Sequence, residues 1–206
     1  MNLYRVVTAD LSRVAEKGRI FGVVVGVVTN NQDPDKQARI KVKYPWLAAN
    51  EESAWARLAV PLAGDGRGFF FLPEVGDEVL VAFEHGDPSR PYVLGGLWGG
   101  VDLPPTGAGD GRDRKVLQSK SGHIIRLDDT GGGEKIEIVD NTGKNQITVD
   151  TARNTITIST DKDIELKAPR GKISIAAQEV EVSSSGKTKI EASADMTIKG
   201  AQVNIN

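Results

Sequence analysis

Pairs of apolar residues, each separated by a single residue, recur throughout the C-terminal half of this 206-residue chain. Nine such pairs follow one another at intervals of about eight residues, with turn-forming segments such as Asn141-Thr142-Gly143 between them. Side chains at i and i+2 lie on the same face of a β-strand, so each repeat predicts one short strand with two inward residues. The residues predicted to form the buried core of this repeat are Ile136, Ile138, Ile147, Val149, Ile156, Ile158, Ile164, Leu166, Ile173, Ile175, Val180, Val182, Met196, Ile198, Val203 and Ile205.

A strand with only two inward residues is too thin to enclose a core of its own. Burying one Ile or Val side chain is worth roughly 1.5–3 kcal/mol, so the repeat has a strong drive to associate. Three chains wound about one axis would bury these rows and would pair every strand edge with a neighbouring chain. We therefore predict an intertwined triple-stranded β-helix formed by a homotrimer. The alternatives are a single-chain parallel β-helix, which usually needs rungs of ~20 residues or more, and a β-sandwich, which rarely repeats so evenly.

The N-terminal half has a different composition, because every Phe, Trp and Tyr of the chain lies at or before Trp98. Five β-strands are predicted there, over residues 20–29, 38–44, 54–60, 78–84 and 91–98. In the second strand Ile40 and Val42 alternate with charged residues, and Val79 and Val81 alternate similarly in the fourth, so these apolar side chains are predicted to face inward. Five short strands are typical of a small OB-fold barrel.

The chain is therefore predicted to be all-β and to consist of four parts. An N-terminal segment (1–17) precedes an OB-fold barrel (18–99). A linker rich in Gly, Pro and Asp (100–119) then leads to a trimeric β-helical needle (120–206).

The charge balance argues against a non-specific nucleic-acid binder, since 26 basic residues face 28 acidic ones. The chain has no cysteine, which excludes disulfides and thiolate metal sites. The first seventeen residues are charged and lack the apolar core of a secretory signal. The longest apolar run, residues 20–28, is too short to cross a bilayer. We expect a protein made in the cytoplasm that leaves the cell only within a larger assembly or by lysis.

Candidate sites for chemistry are weak. His85 and His123 are the only histidines, and neither has a second imidazole at ligand spacing, so solvated or structural roles are expected. An acidic cluster comprises Glu74, Asp77, Glu78, Glu84 and Asp87. A glycosidase needs two carboxylates flanking a cleft, whereas these side chains are predicted to lie on solvated strand faces and in Asx turns. No catalytic, cofactor-binding or metal site is predicted, and the protein is not expected to be an enzyme.

One basic and aromatic group could stack nucleic-acid bases, as OB-folds do. It comprises Arg39, Lys41, Lys43, Tyr44 and Trp46. The same residues could instead pack against a neighbouring subunit, and the net charge of −2 favours this second interpretation.

Two motifs in the N-terminal half carry a family resemblance. Residues 72–83 (LPEVGDEVLVAF) and 86–95 (GDPSRPYVLG) resemble the OB-domain signature of phage baseplate assembly protein V, gp5-like tail spikes and the VgrG proteins of type VI secretion. The upstream residues 22–28 and 38–46 are similar to the opening hairpin of the same family. The resemblance covers residues 18–99, and the repeats behind it match the second half of that architecture.

The resemblance implies a structural central spike, a membrane-puncturing needle in a contractile injection system or phage-tail baseplate. It implies a separate hub protein above the barrel, because only about seventeen residues precede the barrel, and a PAAR-like tip protein below the needle. An inner tube or effector cargo and the target membrane are further expected contacts, with no cofactor and no nucleic acid. The expected location is an assembled phage tail or injection-system baseplate, extracellular after release. A trimeric fibre or adhesin, an OB-fold nucleic-acid binder and a cell-wall hydrolase are the competing hypotheses.

Overall fold

The computed structural model describes residues 18–46, 52–105 and 111–204. The chain divides into two compact units, Met1–Ser159 and Thr160–Asn206, and each is treated by itself below. The predicted N-terminal segment (1–17) and the core residue Ile205 lie outside the described residues. The prediction of an all-β chain is confirmed for the described residues, whose regular structure consists of strands and two short 3-10 turns.

The first unit opens with a five-stranded sheet in which every predicted N-terminal strand overlaps an observed one. Its strands are β1 (Val24–Asn30), β2 (Lys41–Lys43), β3 (Arg57–Leu58), β6 (Glu78–Phe83) and β7 (Pro91–Gly96), in the order β2-β1-β6-β7-β3. Only β3 and β7 run parallel. Next to the two outer strands, the amides of Ile40 and Ala56 each donate to the other's carbonyl, at 3.0 and 2.7 Å. This bridge joins the edges of the sheet and closes it into a barrel.

The barrel core follows from the period-two pattern of its strands. Ile40, Val42, Val79 and Val81 are all fully buried, which confirms the predicted inward positions. Their neighbours along each strand point outward, because successive side chains of a strand lie on opposite faces. The remaining buried apolar residues of the cluster are Val28, Tyr44, Ala56, Phe83 and Val93.

A small hairpin that the sequence patterns did not predict projects between β3 and β6. Its strands are β4 (Ala63–Gly64) and β5 (Arg67–Gly68). Gly68 has φ of +145°, and a Cβ there would lie 2.5 Å from the carbonyl oxygen of Leu62. A glycine is therefore required where the chain leaves the hairpin.

The second sheet is an antiparallel meander within the same unit. Its strands are β8 (Arg114–Gln118), β9 (Ile124–Asp128), β10 (Lys135–Val139), β11 (Gln146–Asp150) and β12 (Thr155–Ser159), and each pairs with the next along the chain. We refer to these strands as the meander. The strand β8 occupies the end of the predicted 100–119 linker, because it pairs along its whole length with β9.

The meander corrects one part of the sequence interpretation. The trimer prediction paired every strand edge of the repeat with another chain, but both edges of β9, β10 and β11 are occupied by strands of the same chain. Short turns allow this reversal. In one of them the Asp140 carboxylate accepts hydrogen bonds from the backbone amides of Lys144 and Asn145, and in another Asn154 adopts a left-handed φ of +53°.

The second unit has no strand between residues 163 and 204, all of which the structure describes. Its chain bends at regular intervals, and six-residue segments separate most of the bends. The bends lie at residues 161–162, 169–171, 178, 185–186, 193–194 and 201–202. Four of the five intervening segments hold a pair of the predicted core residues, and the segment 187–192 holds Ile190 and Ala192 at the same spacing. The period of about eight residues in the sequence is therefore also a period of the backbone.

Candidate functional site

One face of the meander is a continuous apolar surface, which we call the assembly face. Residues that lie directly opposite each other in paired strands share a face, and the observed register aligns the apolar residues in two rows. The first row is Leu127, Ile136, Val149 and Ile156. The second row is Leu117, Ile125, Ile138, Ile147 and Ile158.

The assembly face is exposed in the described chain. Its nine side chains retain between 36% and 72% of their accessible surface, with Val149 and Ile156 at the two limits. Covering a half-exposed Ile or Leu would contribute on the order of 1 kcal/mol. A contiguous apolar surface of this size on a soluble protein marks an interaction site.

Six of the predicted core residues lie on this face, and sequence reasoning missed three others. The six are Ile136, Ile138, Ile147, Val149, Ile156 and Ile158. The missed residues are Leu117, Ile125 and Leu127. The signal was present, since Ile125 and Leu127 form another i, i+2 pair upstream of the first one counted.

The opposite face of the meander carries mainly polar and charged side chains, and several of them pair with one another. Arg126 lies 3.1 Å from one carboxylate oxygen of Glu137, and Lys135 lies 3.0 Å from the other. Glu137 and Asp128 are buried by these neighbours, with 8% and 5% of their surface exposed. One face of the meander is therefore apolar and the other mainly polar, as expected for a sheet whose apolar face lies inside an assembly.

Asp128 is held in its charged form by its surroundings. The hydroxyl and the backbone amide of Thr130 donate to its carboxylate, and the Arg114 guanidinium lies 3.1 Å away. Together these outweigh the opposing effect of burial and lower the pKa of Asp128 to about 2.

The first strand of the meander carries a charge at one end of the assembly face. Lys115 lies opposite Leu127 and so occupies the β8 position of the first apolar row. Its ammonium group reaches Asp129 at 2.8 Å and the backbone carbonyl of Arg112 at 3.1 Å. These contacts raise the pKa of Lys115 above its usual value, mainly through the hydrogen bond to Asp129. A lysine on an edge strand discourages pairing with further strands, whereas β12 carries no charged residue.

The remaining predicted core residues of the second unit are exposed, as is every residue from 161 to 204. They are Ile164, Leu166, Ile173, Ile175, Val180, Val182, Met196, Ile198 and Val203, each with at least half of its surface accessible. Their burial in a trimer core stays a prediction.

The residues considered for chemistry occupy structural positions. The Asp87 carboxylate accepts from the amide and hydroxyl of Ser89, and the Asp77 carboxylate accepts from the amide of Glu74, so both close turns. His85 lies in a turn with φ of +50°. His123 accepts a hydrogen bond from the amide of Asn141 through Nδ1, at 3.2 Å.

The basic and aromatic group is only partly open, because Trp46 exposes 51% of its surface whereas the other ring of the group is buried. Tyr44 is buried in the barrel core and contacts Phe83 edge-on, with 5.8 Å between ring centroids. The cations beside it lie over a ring of this chain, since Lys41 and Arg39 approach Trp55 at 5.4 and 5.9 Å. Within the described ranges, no three His, Asp or Glu side chains gather as a metal site. No helix of that part of the chain has the length and hydropathy needed to span a bilayer.

Comparison with known families shows which domains the barrel is similar to. Residues 24–98, from the start of β1 to just beyond β7, match the family described as the type VI secretion system/phage-baseplate injector OB domain. The barrel is thus similar to the OB domains of this injector family. The resemblance drawn from residues 72–83 and 86–95 is therefore confirmed.

Relatives of known name agree with this assignment. The chain is 30% identical over 138 residues to the type VI secretion system spike protein VgrG3 of Vibrio cholerae, covering 61% of this chain and 14% of the relative. It is 32% identical over 144 residues to the spike protein VgrG1b of Pseudomonas aeruginosa, covering 63% of this chain and 19% of the relative. The actin cross-linking toxin VgrG1 of Vibrio cholerae is 29% identical, covering 63% of this chain and 12% of the toxin. The chain thus spans less than a fifth of the length of each of these VgrG proteins.

Proposed function

We propose that this protein is the central spike of a contractile injection system or phage-tail baseplate, and that it works as a homotrimer without enzymatic activity. The observation that carries the proposal is the presence, on one chain, of an injector OB domain and an uncovered apolar sheet face. The similarity of the barrel to injector OB domains indicates the kind of machine in which the protein acts. The exposed apolar side chains of the assembly face favour association with other copies of the chain.

Three copies about one axis would cover the assembly face. Three sheets can turn their apolar faces toward one axis and leave their charged faces outside, which encloses all rows at once. The polar faces then carry the ion pairs of Glu137 and Asp128 toward solvent. Along residues 120–206 the 12 basic and 13 acidic side chains keep such an elongated surface soluble.

In the second unit the same association would pair backbones as well as side chains. Six residues of extended chain span about 20 Å, and the amides and carbonyls of these six-residue segments need partners once they leave water. Neighbouring copies would supply these partners in an intertwined β-helix. The bends at intervals of about eight residues would form the corners of the resulting prism.

The spike's role is mechanical in this proposal. The barrels bind a separate hub protein of the baseplate, and the opposite end of the needle binds a PAAR-like tip. Contraction drives the needle through the target membrane, with an inner tube or effector cargo behind it. The protein is made in the cytoplasm and assembled into the particle before release. The burial of Tyr44 disfavours the alternative of an OB-fold nucleic-acid binder, because no open aromatic platform remains at that position.

Two measurements test the proposal. The purified protein should have three times the 22.1 kDa mass of the chain by light scattering, and the trimer should resist SDS at room temperature. Deleting the gene in its organism of origin should abolish assembled contractile particles, and the wild-type gene should restore them. A monomer at micromolar concentration, or normal particles without the gene, would overturn the assignment.

A further inference from the structure

The barrel has a second surface that the spike role does not use, a groove beside the β4–β5 hairpin. The loop before β2, strand β3 and residues 68–72 enclose a volume of about 820 Å³. Leu58 and Leu62 contribute to its wall, and the phenylalanines 69–71 line it on the hairpin side. We call this feature the hairpin groove.

The charges of the hairpin groove have one sign. Four cationic residues line it, namely Lys36, Arg39, Arg57 and Arg67, and no carboxylate does. One of the cations is already paired. Arg39 contacts Asp33 at 2.7 Å and Asp35 at 2.5 Å, outside the lining.

The remaining cations differ in how they are held. Arg57 lies over the ring of Tyr92 at 5.7 Å. Lys36 and Arg67 make no ion pair with any residue in the described parts of the chain. Lys36 and Arg67 therefore remain as two cations without an ion-pair partner among the described residues, beside the apolar side chains of the groove.

The apolar part of the hairpin groove is unusually open. Phe69, Phe70 and Phe71 expose 51%, 75% and 56% of their surfaces. Phe69 and Phe71 stack on each other with 6.3 Å between centroids, which leaves Phe70 projecting alone. Consecutive exposed phenylalanines on a short glycine-bounded hairpin are costly for a soluble protein unless a partner covers them.

We propose that the hairpin groove docks an extended segment of a partner protein that carries carboxylates next to apolar side chains. Charge complementarity selects the occupant, because Lys36 and Arg67 need anions and the phenylalanines need apolar cover. A single-stranded nucleic acid fits less well. It would bind through several phosphates, and two unpaired cations on a chain of net charge −2 supply few such contacts.

The proposal concerns residues of one barrel, so it is tested separately from trimer formation. It can fail while the spike assignment stands, and the reverse also holds. The test therefore uses the full-length protein, with its mass checked by light scattering in every sample.

Fluorescence polarisation with a labelled peptide of alternating glutamate and leucine tests the occupant. We expect saturable binding that the double variant K36E/R67E weakens at least about tenfold. The variant Phe70→Ser should weaken it as well without changing any charge. The matched control Arg153→Glu reverses a charge at an 83% exposed side chain of the meander and should leave binding unchanged.

Other probes decide between the classes of occupant. A peptide of alternating lysine and leucine should not bind, and labelled oligothymidylate should bind more weakly than the glutamate peptide. Tighter binding of oligothymidylate would overturn the proposal in favour of nucleic acid. The proposal would also be overturned if the double variant K36E/R67E or the variant Phe70→Ser left the binding of the glutamate peptide unchanged, or if that peptide showed no saturable binding. The last result is expected if a second copy of this chain already fills the hairpin groove.

Discussion

Val149 lies directly opposite Ile156 in the antiparallel pair of β11 and β12, and both belong to the first row of the assembly face. Ile156 is 72% exposed although β12 pairs along its whole length with β11. The reason is that β12 is the last strand of the meander, and no other strand of the described chain pairs with its second edge. The pair therefore combines an uncovered face with an open edge. It is the position at which a neighbouring copy would bury the most new surface.

Replacing Ile156 with aspartate should abolish the trimer. Three copies of the carboxylate would meet in an apolar interior, and each unpaired buried charge costs several kcal/mol. The matched control is Thr157→Asp, one residue along the same strand, where the side chain lies on the polar face. Light scattering should give a monomer mass for the first variant and a trimer mass for the second. A trimeric Ile156→Asp protein would show that the inward face is assigned incorrectly.

The second unit can be tested by the same logic. In its extended segment 172–177, Ile173 should face the trimer axis and Lys172 should face solvent. We expect Ile173→Asp to lose SDS resistance and Lys172→Asp to retain it. If the two variants behave alike, residues 163–204 do not form an intertwined core.

Limited trypsin digestion should separate the barrel from the meander. Arg112 lies in an exposed turn, whereas Arg114 and Lys115 belong to β8 and are held by Asp128 and Asp129. Cleavage should therefore occur first after Arg112. The resistant C-terminal fragment should remain trimeric, and it should show no tryptophan fluorescence, since the chain has no aromatic residue beyond Trp98.

The opposite order of cleavage is the decisive result for that experiment. Rapid digestion at Lys162, Lys167 or Arg170, with the barrel connection intact, would mean that the second unit is not locked by interchain pairing.

Acid stability should depend on Asp128. Its pKa is about 2 in the folded protein and near 4 for an ordinary aspartate, so folding favours the charged form. The resulting stabilisation is complete above pH 4 and is lost as the pH falls through about 2. Asp128→Asn should flatten the fall in thermal midpoint between pH 4 and pH 2.

A second variant separates this charge effect from simple loss of a side chain. Thr130→Val removes the hydroxyl that donates to Asp128, so the folded-state pKa should rise toward the ordinary value. The acid-dependent loss should then become smaller and be complete at a higher pH. A pH profile identical to that of the wild type in both variants would exclude the proposed role of Asp128.

Gly68→Ala should disrupt the β4–β5 hairpin. The added Cβ would clash with the Leu62 carbonyl oxygen, at a φ that L-residues rarely adopt. We expect a loss of about 1–3 kcal/mol in the free energy of unfolding, together with weaker binding of the glutamate peptide. The control is Gly66→Ala at the hairpin turn, where φ is also positive at +62° but no atom lies within 4 Å of the added Cβ, so this variant should cost less. Equal denaturation midpoints for the two variants would contradict this account.

Much of the barrel could be predicted from the residue order alone. Alternation placed Ile40, Val42, Val79 and Val81 in the core, because a strand's side chains take opposite faces by geometry whatever the neighbouring strand is. The same rule grouped Ile136 with Ile138 and Ile147 with Val149. The two motifs that carry the family resemblance, residues 72–83 and 86–95, likewise consist of residues close together in the sequence.

Only the tertiary structure decided which strands are neighbours. Alternation says which side chains share a face but not whether the adjacent strand belongs to the same chain. The turn closed by Asp140 reverses the chain between β10 and β11, and the turn containing Asn154 reverses it between β11 and β12. A single copy therefore pairs its own strands. Tertiary folding also brought Lys36 and Arg67 to one groove, and it buried Asp128 beside Arg114, across separations that no local pattern encodes.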